Sequence, residues 1–305
     1  MIYFRDTTEF QTDGPCAVTL GKFDGIHRGH QKLIREIMRY AHAHPGCKSV
    51  VFALNARDEQ LILTQEEQCA FLEKMGVDCL VQCPFVPAIY TMSPENFIGR
   101  ILKKALGAVF VAVGTDFRFG HFRAGDAAFL AQYGRSCGFE TMIVEHETYH
   151  GQKISSSGVR DALKNGDVRT AAALLGRSYS ISGTVVKGAH LGTTMGVPTA
   201  NLIPSADKLL PERGVYVSHV HMDGSIYNAV TNVGIKPTVD GSYEDVETYI
   251  FGRFEELYGK EIEVSLLDHS RKEMKFSGIS ELTQQIRMDI RQGEEYFHGR
   301  ETVLP

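Results

Sequence analysis

The feature that most constrains this fold is a change of rhythm near Gly176. Before it, short apolar runs alternate with amphipathic helical stretches. After it, β-rich runs follow one another with glycine-containing turns between them. In the first half, Ala17–Leu20, Ser49–Leu54, Val77–Val81, Ala108–Val113 and Phe139–Glu145 read as buried parallel strands. The first helix places Leu33, Ile34, Ile37, Met38 and Ala41 on one face. The second begins at Thr64 with Glu67 at capping-box spacing and stops before Gly76. The third starts at Ser93-Pro94 and ends at Gly107. Such alternation implies an α/β unit, a parallel sheet with helices on both faces, and ligands at the carboxyl ends of the strands. Asp167–Leu175 reads as a last helix capped by Asp167. Beyond it, Ile181–Lys187, Gly214–Met222, Ile226–Val233, Val246–Phe251 and Ile262–Leu267 imply an all-β, barrel-like unit, with a terminal helix, Glu281–Arg291, against it. The expected domains are therefore residues 1–178 and 179–305.

A chain of 305 residues accommodates two such cores. Its 43% hydrophobic and 23% charged content is that of an ordinary globular protein. The net charge of −5 argues against a nucleic-acid partner, although local fields still accept small anions. No apolar run approaches the ~20 residues of a membrane helix. The start, Met1-Ile2-Tyr3-Phe4-Arg5-Asp6, has no signal-peptide character, so a cytoplasmic protein without a membrane partner is expected. Cys16, Cys47, Cys69, Cys79, Cys83 and Cys137 form no Cys-x-x-Cys and no zinc spacing, as free thiols in a reducing compartment would.

Gly21-Lys22-Phe23-Asp24-Gly25-Ile26-His27-Arg28-Gly29-His30 follows an apolar strand and opens a helix. Free amides and the dipole at a helix start attract anions. Imidazoles at His27 and His30 offer donors to charge growing on a phosphate, so a nucleoside triphosphate suits the site. A pair of surface histidines would share that spacing. Gly114-Thr115-Asp116-Phe117-Arg118-Phe119-Gly120 also follows a strand; it reads equally as a glycine-rich loop with packed aromatics. Ile154-Ser155-Ser156-Ser157-Gly158-Val159-Arg160 places hydroxyls at a helix start, with Ser157 as a possible N-cap, and an arginine one turn on. His219 and His221 alternate on one strand and read as surface residues; Phe110, Phe117, Phe119, Phe122 and Phe129 read as core, with one ring available to stack on a flat ligand.

These three segments resemble the phosphate-site motifs of the nucleotidyltransferase half of bacterial bifunctional riboflavin kinase/FAD synthetases. The second half continues the resemblance. Gly188-Ala189-His190-Leu191-Gly192-Thr193-Thr194-Met195-Gly196-Val197-Pro198-Thr199-Ala200-Asn201 is similar to that family's kinase loop. Asn232-Val233-Gly234-Ile235-Lys236-Pro237-Thr238 and Glu247…Leu257-Tyr258-Gly259-Lys260 follow in the family's order. The resemblance implies a Rossmann-like nucleotidyltransferase domain followed by a riboflavin kinase barrel. Its substrates and products would be riboflavin, FMN, FAD, ATP, ADP and pyrophosphate. It implies catalytic roles for His27, His30, Arg160 and Glu247, with Glu247 as general base toward the ribityl hydroxyl. Gly21, Phe23, Asp24, Gly29, Asp116, Ser155, Ser156, Gly188, Gly192, Thr199 and Asn201 would bind nucleotide. Thr199 and Asn201 offer hard oxygens to the Mg²⁺ that accompanies ATP, and no permanently bound cofactor is required. A monomer or weak oligomer is expected.

The chain departs from the family pattern at Asn55-Ala56-Arg57-Asp58-Glu59, where a Pro-His-Pro-like segment is usual, and at Thr193, Tyr249 and Gly252-Arg253. The alternatives are a flavin-binding homologue with one or both activities lost, or a nucleotidyltransferase for another phosphate acceptor. By itself Glu247 also reads as a solvent-facing strand residue, and Pro198–Asn201 as a polar turn of the barrel.

Overall fold

The computed structural model describes residues 1–55, 60–187, 197–238, 241–252 and 257–301, in two compact units, Met1–Ser156 and Ser157–Pro305. The sequence divides the chain at residues 178/179. The compact units divide earlier, and the two helices between those points pack with the second unit.

The first unit is built on a sheet of β1 (Ile2–Phe4), β2 (Cys16–Gly21), β3 (Lys48–Asn55), β4 (Cys79–Pro84), β5 (Ala108–Gly114) and β6 (Glu140–Val144), in the order β1-β4-β3-β2-β5-β6. Every neighbouring pair is parallel. Alternation sorts the side chains. Cys16, Val18, Leu20, Val50, Phe52, Cys79, Val81 and Cys83 join one core layer, and Ala17, Val51, Ala53, Leu80, Phe110 and Ala112 the other. The second layer is closed by α1 (Arg28–Ala43), through Ile34, Ile37 and Ala41, and by α2 (Gln65–Met75), through Leu72. The first is closed by α3 (Phe97–Ala105), which buries Phe97, Ile98, Ile101 and Leu102, and by α4 (Ala127–Ser136), which buries Ala127 and Leu130.

Local chemistry sets the ends of these helices. Thr64 accepts from Glu67 N (3.2 Å) while Glu67 accepts from Thr64 N (3.0 Å), and Gly76 ends α2 at φ 87°. The helix expected from Ser93 to Gly107 begins as read, with Ser93 Oγ accepting from Asn96 N (3.3 Å). Past Asn96 it widens into i→i+5 bonding, closing with Leu106 N to Ile101 O (3.0 Å). Strand β1 escapes sequence reading because three residues show no period; its bonds to Cys79–Val81 make it a strand. All six cysteines are free thiols, and burial pushes Cys79 and Cys83 up to about 12. Of the phenylalanines read as core, Phe119 is buried, Phe117 and Phe129 pack beside it, and Phe110 stacks on Tyr40 (4.3 Å). Phe122 is the exception. It is 90% exposed, in a turn that holds it at φ 53°.

In the second unit, α5 (Ser156–Lys164) and α6 (Val168–Leu175) precede a closed antiparallel barrel. Its strands are β7 (Tyr179–Val186), β8 (Ala200–Leu202), β9 (Gly214–Met222), β10 (Ser225–Thr238), β11 (Gly241–Ile250) and β12 (Glu261–Lys272), ordered β7-β8-β11-β10-β9-β12. The two helices are tied to it by Glu212 N to Leu163 O (2.8 Å) and by Arg169 to Asp268 (2.6 Å). Asp167 caps α6 as expected, accepting from Thr170 N (2.9 Å). The barrel interior holds Ala229, Thr231 and Val233 opposite Val246, Thr248 and Ile250. Its buried hydroxyls satisfy one another, Ser218 to Thr231 at 2.7 Å and Thr231 to Thr248 at 3.0 Å.

Helix α7 (Ile279–Glu301) packs on the outer wall. A Cβ on Gly293 would stand 2.4 Å from Val230 Cγ2, so glycine lets helix and strand close. His219, read as a surface residue, stacks instead on Phe297 (5.4 Å) beneath this helix. Arg271 forks onto Asp289 at 2.8 and 2.7 Å, with the Asp289 side chain 5% exposed. Removing one partner of such a pair strands a buried charge. Asp289→Ala is expected to destabilise the second unit by about 3 kcal/mol, measurable by urea unfolding. Among the described residues no helix is long and apolar enough to cross a membrane.

Candidate functional site

In the first unit the strand order reverses between β2 and β5, which lie side by side. The loops leaving their carboxyl ends therefore flank the switch point of the sheet, where open α/β sheets bind ligands. One leads through His27 into the first turn of α1, which carries His30; the other carries Asp116.

The first loop is tightly wound. Phe23 (φ 51°), Gly25 (φ 78°) and Ile26 (φ 40°) all adopt left-handed backbone, costly for the two bulky residues. Its carbonyls are taken from outside the turn: Asp24 O by Ser156 Oγ (2.9 Å) and Ile26 O by Gln31 Nε2 (2.9 Å). The Asp24 carboxylate, expected to touch nucleotide, is buried and accepts from Ile62 N (2.8 Å). It ties the turn to the segment before α2. Gly21 ends β2 beneath the Phe23 ring.

His27 caps α1, its Nδ1 accepting from His30 N (3.3 Å). One amide of the expected anion site is thus already used. That acceptor role places the ring proton of His27 on Nε2. The two imidazoles stack at 3.7 Å and 15°, with Phe23 against His30 at 4.9 Å. Gly29 makes the stack possible: a Cβ there would stand 3.2 Å from the His27 ring. His30 Nδ1 is buried without a hydrogen-bond partner.

Burial first, then the charges of His27 and Lys153, hold the His30 pKa well below the usual imidazole range. Unfolded, His30 takes up a proton near the ordinary value of about 6.5. Its contribution to stability is therefore complete above that pH and is lost as pH falls toward the folded pKa, by at most ~1.4 kcal/mol per pH unit. A His30→Asn variant is expected to flatten the acid limb of Tm against pH between about pH 7 and 5.

Asp116 follows β5 and pairs with Lys153 and, at 3.5 Å, with His146. Partial burial raises its pKa, but the Lys153 bond and charge outweigh this and leave it lowered. Thr115 Oγ1 meets His146 Nε2 at 2.9 Å, pinning the loops after β5 and β6 together. Ser155 and Ser156 are half-buried where α5 starts; the helix begins at Ser156, so Ser157 lies in its first turn and is not the cap. Arg160 stands one turn further along α5, in the second compact unit. Lys153 and His146 were missed in the sequence, since only the fold brings them to Asp116. The one available signal was that Lys153 immediately precedes Ile154-Ser155.

In the second unit, Glu247 on β11 lies directly opposite Asn201 on β8 and opposite Asn232 on β10. The three side chains share one face of the barrel wall. It is the outer face, because Val246 and Thr248 on either side of Glu247 point into the core. Tyr249, two residues on, shares that face and meets Phe251 edge-on at 5.6 Å. Asn201, in a segment whose sequence reads as a loop, lies in a short strand. Its amide nitrogen donates to Thr199 O (3.3 Å). Gly188 and Gly192 lie outside the described residues, as do Ala56, Arg57, Asp58, Glu59, Thr193 and Arg253.

The sequence profile of FAD synthetase matches residues 9–158, and that of riboflavin kinase matches residues 175–297. The bifunctional riboflavin kinase/FMN adenylyltransferase of Escherichia coli (strain K12) is 34% identical over 292 residues, 92% of this chain and 93% of that protein. This chain belongs to the bifunctional riboflavin kinase/FMN adenylyltransferase family. The family member of Bacillus subtilis (strain 168) is likewise 34% identical, over 92% of both chains. A solved structure from Streptococcus pneumoniae, described as a macrolide-efflux protein, shares the fold with a TM-score of 0.85 and 30% identity, over 96% of this chain and 98% of its own. Kinases and nucleotidyltransferases of these families generally use ATP with Mg²⁺.

Proposed function

We propose that this chain makes both flavin cofactors. Its barrel half transfers the γ-phosphoryl of ATP to riboflavin, giving FMN and ADP. Its parallel-sheet half transfers the adenylyl group of a second ATP to FMN, giving FAD and pyrophosphate. The observation that carries the reading is that each family match contains its own cluster of chemistry-bearing side chains: the stacked His27/His30 pair at the sheet's switch point, and Glu247 between two asparagines on the barrel wall. The functional division is taken as residues 1–178 and 179–305, in a cytoplasmic monomer or weak oligomer.

In the adenylyl transfer, the phosphate of FMN attacks the α-phosphorus and pyrophosphate leaves. No covalent enzyme intermediate is needed, so positioning and charge stabilisation carry the step. The Nε2 proton of His27 faces the growing negative charge. Neutral His30, buried beside it, adds a polar contact without competing for protons. Ser155 and Ser156 hold the triphosphate, with Gly21, Phe23, Gly29 and Asp116 shaping the nucleotide pocket; Asp24 acts through the turn it fixes.

In the phosphoryl transfer, Glu247 accepts the proton of riboflavin's terminal hydroxyl as it attacks the γ-phosphorus and ADP leaves. Thr199 and Asn201 are the residues that would hold Mg²⁺. Hard neutral oxygens fit this ion, and the bond from the Asn201 nitrogen to Thr199 O turns its Oδ1 the opposite way. The ion's contribution is to neutralise triphosphate charge. Gly188 and Gly192 would cover the phosphates with backbone amides.

The test is direct. Purified protein is incubated with Mg-ATP and either riboflavin or FMN, and the flavins are separated by chromatography. Riboflavin is expected to yield FMN and then FAD, and FMN to yield FAD. Unchanged flavins from well-folded protein would overturn the reading.

A further inference from the structure

Two glutamines with no place in the chemistry above are buried in the first unit. Gln68 of α2 is 5% exposed and Gln82 of β4 fully buried, the latter in an otherwise apolar strand. Gln68 Nε2 donates to Phe23 O (3.1 Å), Gln82 Nε2 donates to Gln68 Oε1 (2.6 Å) and to Gln65 O (3.4 Å), and the Tyr3 hydroxyl donates to Gln82 Oε1. The direction of this chain is forced. A carbonyl only accepts, so Gln68 must turn its nitrogen to Phe23 and its oxygen to Gln82. Gln82 must then offer its nitrogen, and its own oxygen can be met only by a donor, the phenol of Tyr3. Burial, the largest influence, pushes that phenol up to about 12 and keeps it protonated.

The relay ends on the strained residue of the histidine loop. Phe23 O accepts both Gln68 and Ile26 N (3.2 Å), and the Phe23 ring packs on His30. A buried amide makes this bond in low dielectric, and leaving it unmade would orphan the Gln68 Nε2 donor inside the core. We propose that Gln68, oriented by Gln82 and Tyr3, is a positioning residue for adenylyl transfer: it holds the left-handed Phe23 backbone that seats the His27/His30 pair. The inference rests on the adenylylation reading.

The test compares wild type with Gln68→Met, which keeps length and bulk but cannot donate, and with the milder Tyr3→Phe, which removes only the terminal donor. For FAD formation from FMN, kcat is expected to fall about tenfold in Gln68→Met and about threefold in Tyr3→Phe. KM for ATP should stay within about twofold, and riboflavin phosphorylation by the same chains should match wild type. A merely structural role would lower Tm and leave kcat of folded protein unchanged; that result overturns the inference while the adenylylation reading stands. If Gln68→Met does not fold, Tyr3→Phe decides alone by the same split. If wild type itself makes no FAD, the reading fails, and the relay is judged by amide exchange of Ile26 N–H. Exchange about tenfold faster in the variant supports it, and equal exchange overturns it.

Discussion

His30→Ala is expected to cut FAD formation from FMN by about 10²–10³-fold while riboflavin phosphorylation continues at the wild-type rate. The size follows from what the ring does in place. It is half-buried with its Nδ1 fully enclosed, stacks on His27 at 3.7 Å and packs against Phe23. Alanine removes the polar ring that the proposed adenylyl transfer uses and also lets His27 tilt away from its capping bond to His30 N. The second activity is expected to continue because the side chains proposed for it belong to the other compact unit. The measurement is steady-state turnover of both reactions on one preparation, with unfolding curves to show that both units are intact. Equal loss of both activities in folded protein would falsify the two-site scheme.

Glu247→Gln is expected to do the reverse. FMN formation from riboflavin should fall by about 10²–10⁴, the usual contribution of a positioned general base, while FAD formation from supplied FMN is unaffected. The amide keeps the shape of the side chain and the strand register between Asn201 and Asn232, so no loss of stability should confuse the result. What disappears is a carboxylate able to take a proton. A variant that phosphorylates riboflavin as fast as wild type would remove Glu247 from the mechanism and leave it as a polar wall residue.

Much of the architecture was legible in the chain itself. Thr64 and Glu67 bound each other as their spacing required, Gly76 ended its helix at positive φ, and Asp167 capped α6. Each depends only on residues within one helical turn. The His27–Gly29–His30 segment was legible for the same reason: the capping bond and the stack are contacts between residues three apart. The readings that changed all involve distant parts of the chain. By itself Glu247 reads as a solvent-facing strand residue, and only cross-strand pairing places it between Asn201 and Asn232 on the outer wall. His219 reads as a surface residue in the sequence, whereas in the fold it stacks on Phe297 of α7. The resemblance gives Asp24 to the nucleotide, and only the fold shows that its carboxylate accepts from a backbone amide 38 residues away.

Spacing and turn chemistry determined, without any structure, that a parallel α/β half precedes a β-barrel. Strand order, the side of the wall that Glu247 occupies, the burial that keeps His30 neutral and the glutamine relay behind Phe23 were decided only by tertiary packing. The reason is physical. Periodicity and capping arise between near neighbours, whereas burial, cross-strand pairing and hydrogen bonds across tens of residues exist only once the sheet and barrel have closed.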